Sequence, residues 1–220
     1  MKLLFKYPTR ARPTWFVKTL ESYYQKISES CDFVFLVTLD SDDCTMNTYE
    51  MRKFLTQQPN LVYKYGSHNT KIEAVNADMN IIKDWDVLVL VSDDMIPIVQ
   101  DFDRVITKEM QKHFRNLDGA LHFDDGFLGR DQTITLTIMG RQLYEYFGYI
   151  YHPAYKSFYC DNEFTHVVRW LGKVVYIPKV IIKHEWKGGS KGDALYKWNS
   201  RHWKHDKETY KQRKRLGFPK

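Results

Sequence analysis

Val87-Leu88-Val89-Leu90-Val91-Ser92-Asp93-Asp94 runs five apolar residues straight into a hydroxyl and two carboxylates. A strand that is apolar at every position, rather than at every second one, is covered on both faces, as in the parallel sheets of α/β proteins. The same grammar recurs toward the N-terminus, where Leu61-Val62-Tyr63, Phe33 to Leu39 and Leu3-Leu4-Phe5 read as strands. Helices separate them. Pro13 suits a first helical turn, and Phe16, Leu20, Tyr23, Tyr24 and Ile27 follow as one apolar stripe. Tyr49 to Leu55 reads as a second helix, and Asn69 or Thr70 as the cap of a third with Ile72, Val75, Met79 and Ile82 on one face.

Downstream, Ala120 to Phe123 and Ile134 to Ile138 read as strands, and Gly140 to Phe147 and Asp161 to Leu171 as helices. Gly172 is placed to close the latter. Val174 to Ile177 and Val180 to Lys183 are short strands leading to His184. The expected fold class is α/β, Rossmann-like, with a mostly parallel sheet flanked by helices.

In open α/β sheets the ligand sits outside the carboxyl ends of the strands. Here those ends carry Thr9-Arg10, Asp40, Gly66-Ser67 and Ser92-Asp93-Asp94. Adjacent carboxylates repel one another unless a cation sits beside them. A hard divalent ion, Mg2+ or Mn2+, held by oxygens and completed by water and substrate phosphates, answers that need. A solvated turn or a helix cap answers it as well for an isolated Asp-Asp, and the place at the end of the central strand is what singles this pair out. His184, before Glu185-Trp186, is a candidate to complete such a site. Asp161 and Glu163 open a helix, where carboxylates serve the helix dipole or act as a general base at a rim.

Composition narrows the classes. A chain of 220 residues, 43% apolar and 27% charged, is an ordinary globular domain rather than a disordered one. No stretch of about 18 uncharged apolar residues occurs, and no secretory leader is read at the N-terminus. Three cysteines without CxxC spacing fit neither a disulfide scaffold nor a cysteine-rich zinc site. GxGxxG after the first strand, GxxxxGK[ST] and HExxH are all absent. The net charge of +6 is uneven, because residues 183–220 hold 12 Lys or Arg against 4 Asp or Glu while the rest hold 21 against 23. Such a tail suits either a polyanion or a solvated terminal helix.

In order and spacing, Pro8-Thr9-Arg10 with Arg12-Pro13, Asp40, Lys71 to Asn76, Ser92-Asp93-Asp94, Asp161-Asn162-Glu163-Phe164 and Pro178 to His184 resemble the GT-A fold glycosyltransferases, most nearly the family 2 type. The likeness covers roughly residues 3–186. It implies a catalytic domain over 1–186, with a nucleotide-binding half (1–98) and a smaller acceptor half (99–186), then a basic loop and helix over 187–220. It implies that Thr9, Arg10 and Asp40 contact base and ribose, with Lys71 and Asn76 near the nucleotide. Asp94 becomes the direct metal ligand, Asp93 its support and His184 a further ligand. Ser92 stands where the family has its first Asp, which puts that residue's contact in doubt. The base is Asp161 or Glu163, with Asp161 preferred for its place at the loop edge. The implied reaction is metal-dependent transfer of a sugar from a nucleotide-sugar, a UDP-sugar, to an acceptor hydroxyl, with inversion, in the cytoplasm.

The segment after Trp186 reads as a flexible loop, and Lys191 within it as a lid residue over the diphosphate. Arg201, Lys204, Lys211, Arg213, Lys214 and Arg215, interleaved with Trp198, Trp203 and Tyr210, suit duplex DNA, with cations on phosphates and rings against an extruded base. Some transferases resembling this fold glycosylate hydroxymethylated pyrimidines, which makes such a base one candidate acceptor. A saccharide or glycan acceptor is the alternative. A nucleotidyltransferase or a non-catalytic nucleic-acid-binding module are readings of other classes.

Overall fold

A computed structural model of the chain describes residues 1–126, 132–185 and 192–219. The first half runs β1 (Lys2–Thr9), α1 (Pro13–Lys26), β2 (Asp32–Asp40), α2 (Tyr49–Gln57), β3 (Leu61–Gly66), α3 (Lys71–Asn76), β4 (Val87–Leu90) and β5 (Met95–Pro97). There follow α4 (Phe102–His113), β6 (Ala120–Asp124), β7 (Ile138–Gly140), α5 (Arg141–Phe147), α6 (Cys160–Trp170), β8 (Val174–Val180) and β9 (Ile182–His184). The tail forms α7 (Ala194–Ser200) and α8 (Trp203–Arg215).

Seven strands make one sheet in the order β3-β2-β1-β4-β7-β6-β8. The β1–β2, β1–β4, β2–β3 and β6–β8 pairs are parallel, whereas β7 runs antiparallel to both neighbours. The β4–β7 pairing carries one continuous sheet through both halves of the chain. A separate two-stranded ribbon pairs β5 with β9, setting Met95 opposite His184.

The continuous apolar strands have both faces covered. Leu3, Phe5 and Tyr7 share one core with Phe16, Leu20 and Tyr23 of α1 and with Phe102, Ile106 and Met110 of α4. Leu4, Leu36 and Leu88 share the other with Ile72, Val75, Leu143, Phe164 and Val168. Each such side chain contributes about 2 kcal/mol when fully buried. Helix α4 and strand β5 were not anticipated from the sequence, although the four-residue spacing of Phe102, Ile106 and Met110 carries the helix.

Two elements are shorter than expected. Helix α3 stops at Asn76, before Met79 and Ile82, because Ala77 turns extended and Asp78 takes φ +65°. The cause sits in β1. Lys6 is fully buried, and its ammonium donates to the Ala77 carbonyl at 2.8 Å and to the Thr38 hydroxyl. A buried cation needs such acceptors, so the chain leaves the helix to supply one. Of Ile134 to Ile138, only Ile138 enters a strand. The preceding residues are held by side chains instead, with the Ile134 N–H donating to Thr165 and the Thr135 hydroxyl donating to Asp125.

The basic tail packs back onto the body. Asp206 of α8 is fully buried, and Asp193, which caps α7, lies 2.7 Å from Arg12 Nε. No helix among the described residues is long and apolar enough to cross a membrane.

Candidate active site

A cavity of about 580 Å³ opens outside the carboxyl ends of β1, β2 and β4. Thr9, Arg10, Asp40, Ser92, Asp93 and Asp94 line it from the strand ends. Lys71 of α3, Asp161 of α6, His184 of β9 and Tyr196, Trp198 and Trp203 of the tail complete the walls. The topology thus gathers onto one surface the strand-end clusters that the sequence scattered along the chain.

Asp94 and His184 meet because β5 begins one residue after Asp94 and pairs with β9. The register that sets Met95 opposite His184 brings Nε2 of the imidazole to 3.6 Å from Asp94 Oδ2. Behind the ring, Asp125 Oδ2 lies 3.9 Å from Nδ1. Ser92 donates its hydroxyl to Asp94 Oδ1 at 2.5 Å and so orients the carboxylate two residues on. Asp93 is buried and accepts the Thr9 hydroxyl at 2.9 Å. Burial pushes its pKa up to about 7, against the pull of Thr9 and Arg12. Burial acts on Asp94 in the same direction, but His184, Ser92 and Arg12 together hold it below the usual carboxylate range.

Arg12 contributes a cation to this cluster. Its guanidinium lies 3.9 Å from Asp93 and 4.0 Å from Asp94. The paired carboxylates therefore attract positive charge here, and the donor set suits a hard divalent ion. Asp94 and His184, 3.6 Å apart on the cavity wall, could share such an ion, leaving further ligands to water and phosphate. Among the described residues no group of three or more His, Cys, Asp and Glu is arranged to hold a metal by itself.

At the ends of β1 and β2, Arg10 bonds Asp40 and Asp42, each at 2.7 Å, and His68 Nδ1 lies 2.6 Å from the other oxygen of Asp40. His68 was missed in the sequence, where it follows Gly66-Ser67 without a motif of its own. Arg12 was quoted there only as part of a turn, although it is the one guanidinium within reach of both Asp93 and Asp94 among the described residues.

Asp161 lines the cavity in the first turn of α6. Burial raises its pKa, opposed by the Lys71 charge and the Asn162 backbone N–H, which donates at 2.9 Å. Glu163 is engaged in an ion pair and is not among the residues that line this cavity. It is buried, Arg213 binds it through two hydrogen bonds at 2.8 and 2.9 Å, and Tyr155 donates its hydroxyl at 2.6 Å. Arg213 is for the same reason withdrawn from any polyanion surface.

Asn76 is likewise a correction. Its side chain clamps the 150–151 backbone, accepting from the Ile150 and Tyr151 N–H groups and donating to the Tyr151 carbonyl at 2.7 Å, and it does not line the cavity. Lys191 lies outside the described residues. Of the remaining tail cations, Arg201 stacks on Trp198 at 3.6 Å and Lys211 pairs with Glu208 at 3.0 Å. Lys204, Lys214 and Arg215 are exposed.

No family model and no curated protein matches the chain. Solved structures do. The mannosyltransferase PcManGT of Pyrobaculum calidifontis, in complex with GDP-Man and Mn2+, superposes with a TM-score of 0.68 at 14% identity, covering 91% of this chain and 61% of that one. S. aureus TarS 1–349 with UDP-GlcNAc superposes with a TM-score of 0.67 at 14% identity, covering 91% of this chain and 65% of that one. The fold is that of the GT-A glycosyltransferases. At these identities the likeness concerns the fold, and the chain spans somewhat over three fifths of the length of these two proteins.

Proposed function

We propose that the chain is a metal-dependent glycosyltransferase that moves a sugar from a nucleotide-sugar, a UDP-sugar, to an acceptor hydroxyl with inversion. The observation that carries this reading is the convergence of the Asp94–His184 pair and Asp161 on one cavity at the carboxyl edge of the sheet. The nucleotide-sugars in the two solved structures of this fold support it.

Arg10, Asp40 and His68 form the polar floor against which base and ribose are held, with Thr9 fixing Asp93 behind them. Arg12 presents positive charge where the diphosphate leaves. Asp94 and His184 are the residues that would hold Mn2+ or Mg2+, which when bound neutralises the leaving diphosphate. Asp161, its carboxylate lifted toward a more basic pKa, takes the acceptor proton as the hydroxyl attacks the anomeric carbon. Asp161 acting as a base on the acceptor, rather than as a nucleophile on the sugar, corresponds to inversion.

The acceptor we assign is a hydroxymethylated pyrimidine in duplex DNA. Lys204, Lys207, Lys211 and Lys214 recur at spacings of 3, 4 and 3, forming one exposed basic face of α8 that begins beside Trp203 at the cavity wall. A neutral glycan needs no such face.

The test is nucleotide release from a panel of nucleotide-sugars with Mn2+, with and without chelator and hydroxymethylated DNA. Chelator-sensitive release stimulated by the DNA is expected. Release indifferent to chelator overturns the metal-dependent reading. Release that DNA does not stimulate keeps the transferase and rejects this acceptor.

A further inference from the structure

We infer that helix α8 positions the proposed base, with Asp206 and Arg213 acting on the segment that delivers Asp161. The inference rests on the glycosyltransferase reading above and assigns to the tail a task inside the catalytic domain.

Asp161 is reached through a corner. Tyr159 caps α6 with φ +62°, a left-handed conformation that non-glycine residues adopt rarely, and no side-chain hydrogen bond caps the helix there. Such a corner persists only where its surroundings impose it. Three supports come from α8. The Asp206 carboxylate accepts three successive backbone N–H groups, from Lys156 at 3.0 Å and from Ser157 and Phe158 at 2.8 Å each. Three amides converge on one carboxylate only when the segment is curved, so the carboxylate fixes its shape. The Tyr159 ring packs against Trp203 at 5.1 Å and Tyr210 at 5.6 Å. One turn into α6, Arg213 grips Glu163.

A buried carboxylate is costly unless hydrogen bonds satisfy it. Asp206 is fully buried and spends its oxygens on the corner, apart from a contact at 2.9 Å with Nδ1 of its neighbour His205. Among the described residues the side-chain hydrogen bonds of Thr9, Arg10 and Asp40, which form the proposed nucleotide floor, run to Asp93, Asp42, His68 and one another and not to α8, while the Arg10 guanidinium lies 5.7 Å from the Trp198 ring of α7. Loosening the corner should therefore move the base and leave the donor floor in place.

The experiment is Asp206→Asn in the full chain, with turnover expressed per donor-binding site counted by calorimetry with the nucleotide-sugar. Turnover per site is expected to fall at least about tenfold, because small displacements of a reacting group are costly, while donor Kd stays within about twofold. Arg213→Lys, which keeps the charge but loses the two-pronged grip, should act in the same direction by a smaller factor and serves if Asp206→Asn does not fold. Unchanged turnover per site in the folded variant overturns the positioning role and leaves Asp206 a stabilising residue only. Donor affinity falling in step with turnover also overturns it. A wild-type chain that neither binds nor consumes any nucleotide-sugar instead sinks the glycosyltransferase reading itself.

Discussion

Arg213 holds Glu163 through two hydrogen bonds, 2.8 and 2.9 Å long, while Asp161, two residues earlier on the same helix, lines the cavity. Two residues on a helix lie about 200° apart around its axis, so one carboxylate faces substrate when the other faces the core. Asp161→Asn is expected to lower turnover by at least about a hundredfold at little cost in stability. Glu163→Gln should cost about 2 kcal/mol of stability, because it leaves the partly exposed Arg213 without its charge partner, and should lower turnover per folded molecule far less than Asp161→Asn does. Urea unfolding and initial rates on both variants distinguish the two roles.

The direction of the Asp161 shift sets a pH profile. Its pKa is raised, chiefly by burial, and a base must be deprotonated to act. Turnover should therefore fall as pH drops through that raised pKa, with the acid limb above the ordinary Asp value of about 3.9. A kcat profile whose acid limb lies at or below the ordinary value would remove Asp161 as the base.

Asp94→Asn and His184→Ala should each weaken Mn2+ binding at least about tenfold, since the two are the proposed protein ligands and lie 3.6 Å apart on the cavity wall. Electron paramagnetic resonance titration with UDP present reads this without reference to turnover. Undiminished Mn2+ affinity in both variants would place the ion elsewhere.

Lys6 predicts how stability depends on pH. Burial pushes its pKa down to about 7, so between about pH 7 and the unfolded value of 10.5 the folded chain carries fewer protons than the unfolded one. The penalty for the buried charge is therefore complete below about pH 7 and is relieved as pH rises toward 10.5. Its full extent is about 5 kcal/mol by linkage. Urea unfolding at pH 6 and pH 9 should show the rise in wild type and a flattened response in Lys6→Met.

The acceptor reading predicts a salt dependence. Lys204, Lys211 and Lys214 together should account for about 2 to 3 units of the slope of log affinity against log salt on duplex DNA, at roughly 0.9 per phosphate contact. The triple alanine variant checks this, and an unchanged slope would remove the helix from DNA contact.

The strands and their polar ends were legible because burial on both faces leaves continuous apolar runs, and because a parallel sheet puts every carboxyl end on one edge. Asn76 and Glu163 lie off the cavity wall, and their sequence context does not tell this, for a common reason. A polar residue on a short helix looks alike in sequence whether it faces ligand or backbone, and only tertiary packing decides. The charge count of the tail had the same blind spot, since Arg213 and Asp206 add to it while their side chains face inward. The early end of α3 was hidden because its cause, Lys6, lies 71 residues before Ala77.

The ribbon formed by β5 and β9 is three residues long on each strand, and its register sets His184 opposite Met95. Successive side chains of a strand point to opposite faces, so a frame shift of one position reverses them all. One residue inserted between Ile181 and His184 would turn the imidazole away from Asp94 while leaving the seven-stranded sheet paired. Such a chain would fold, keep its nucleotide floor and lose its grip on a cation. The length of that short segment is thus as much a part of the proposed metal site as the two side chains.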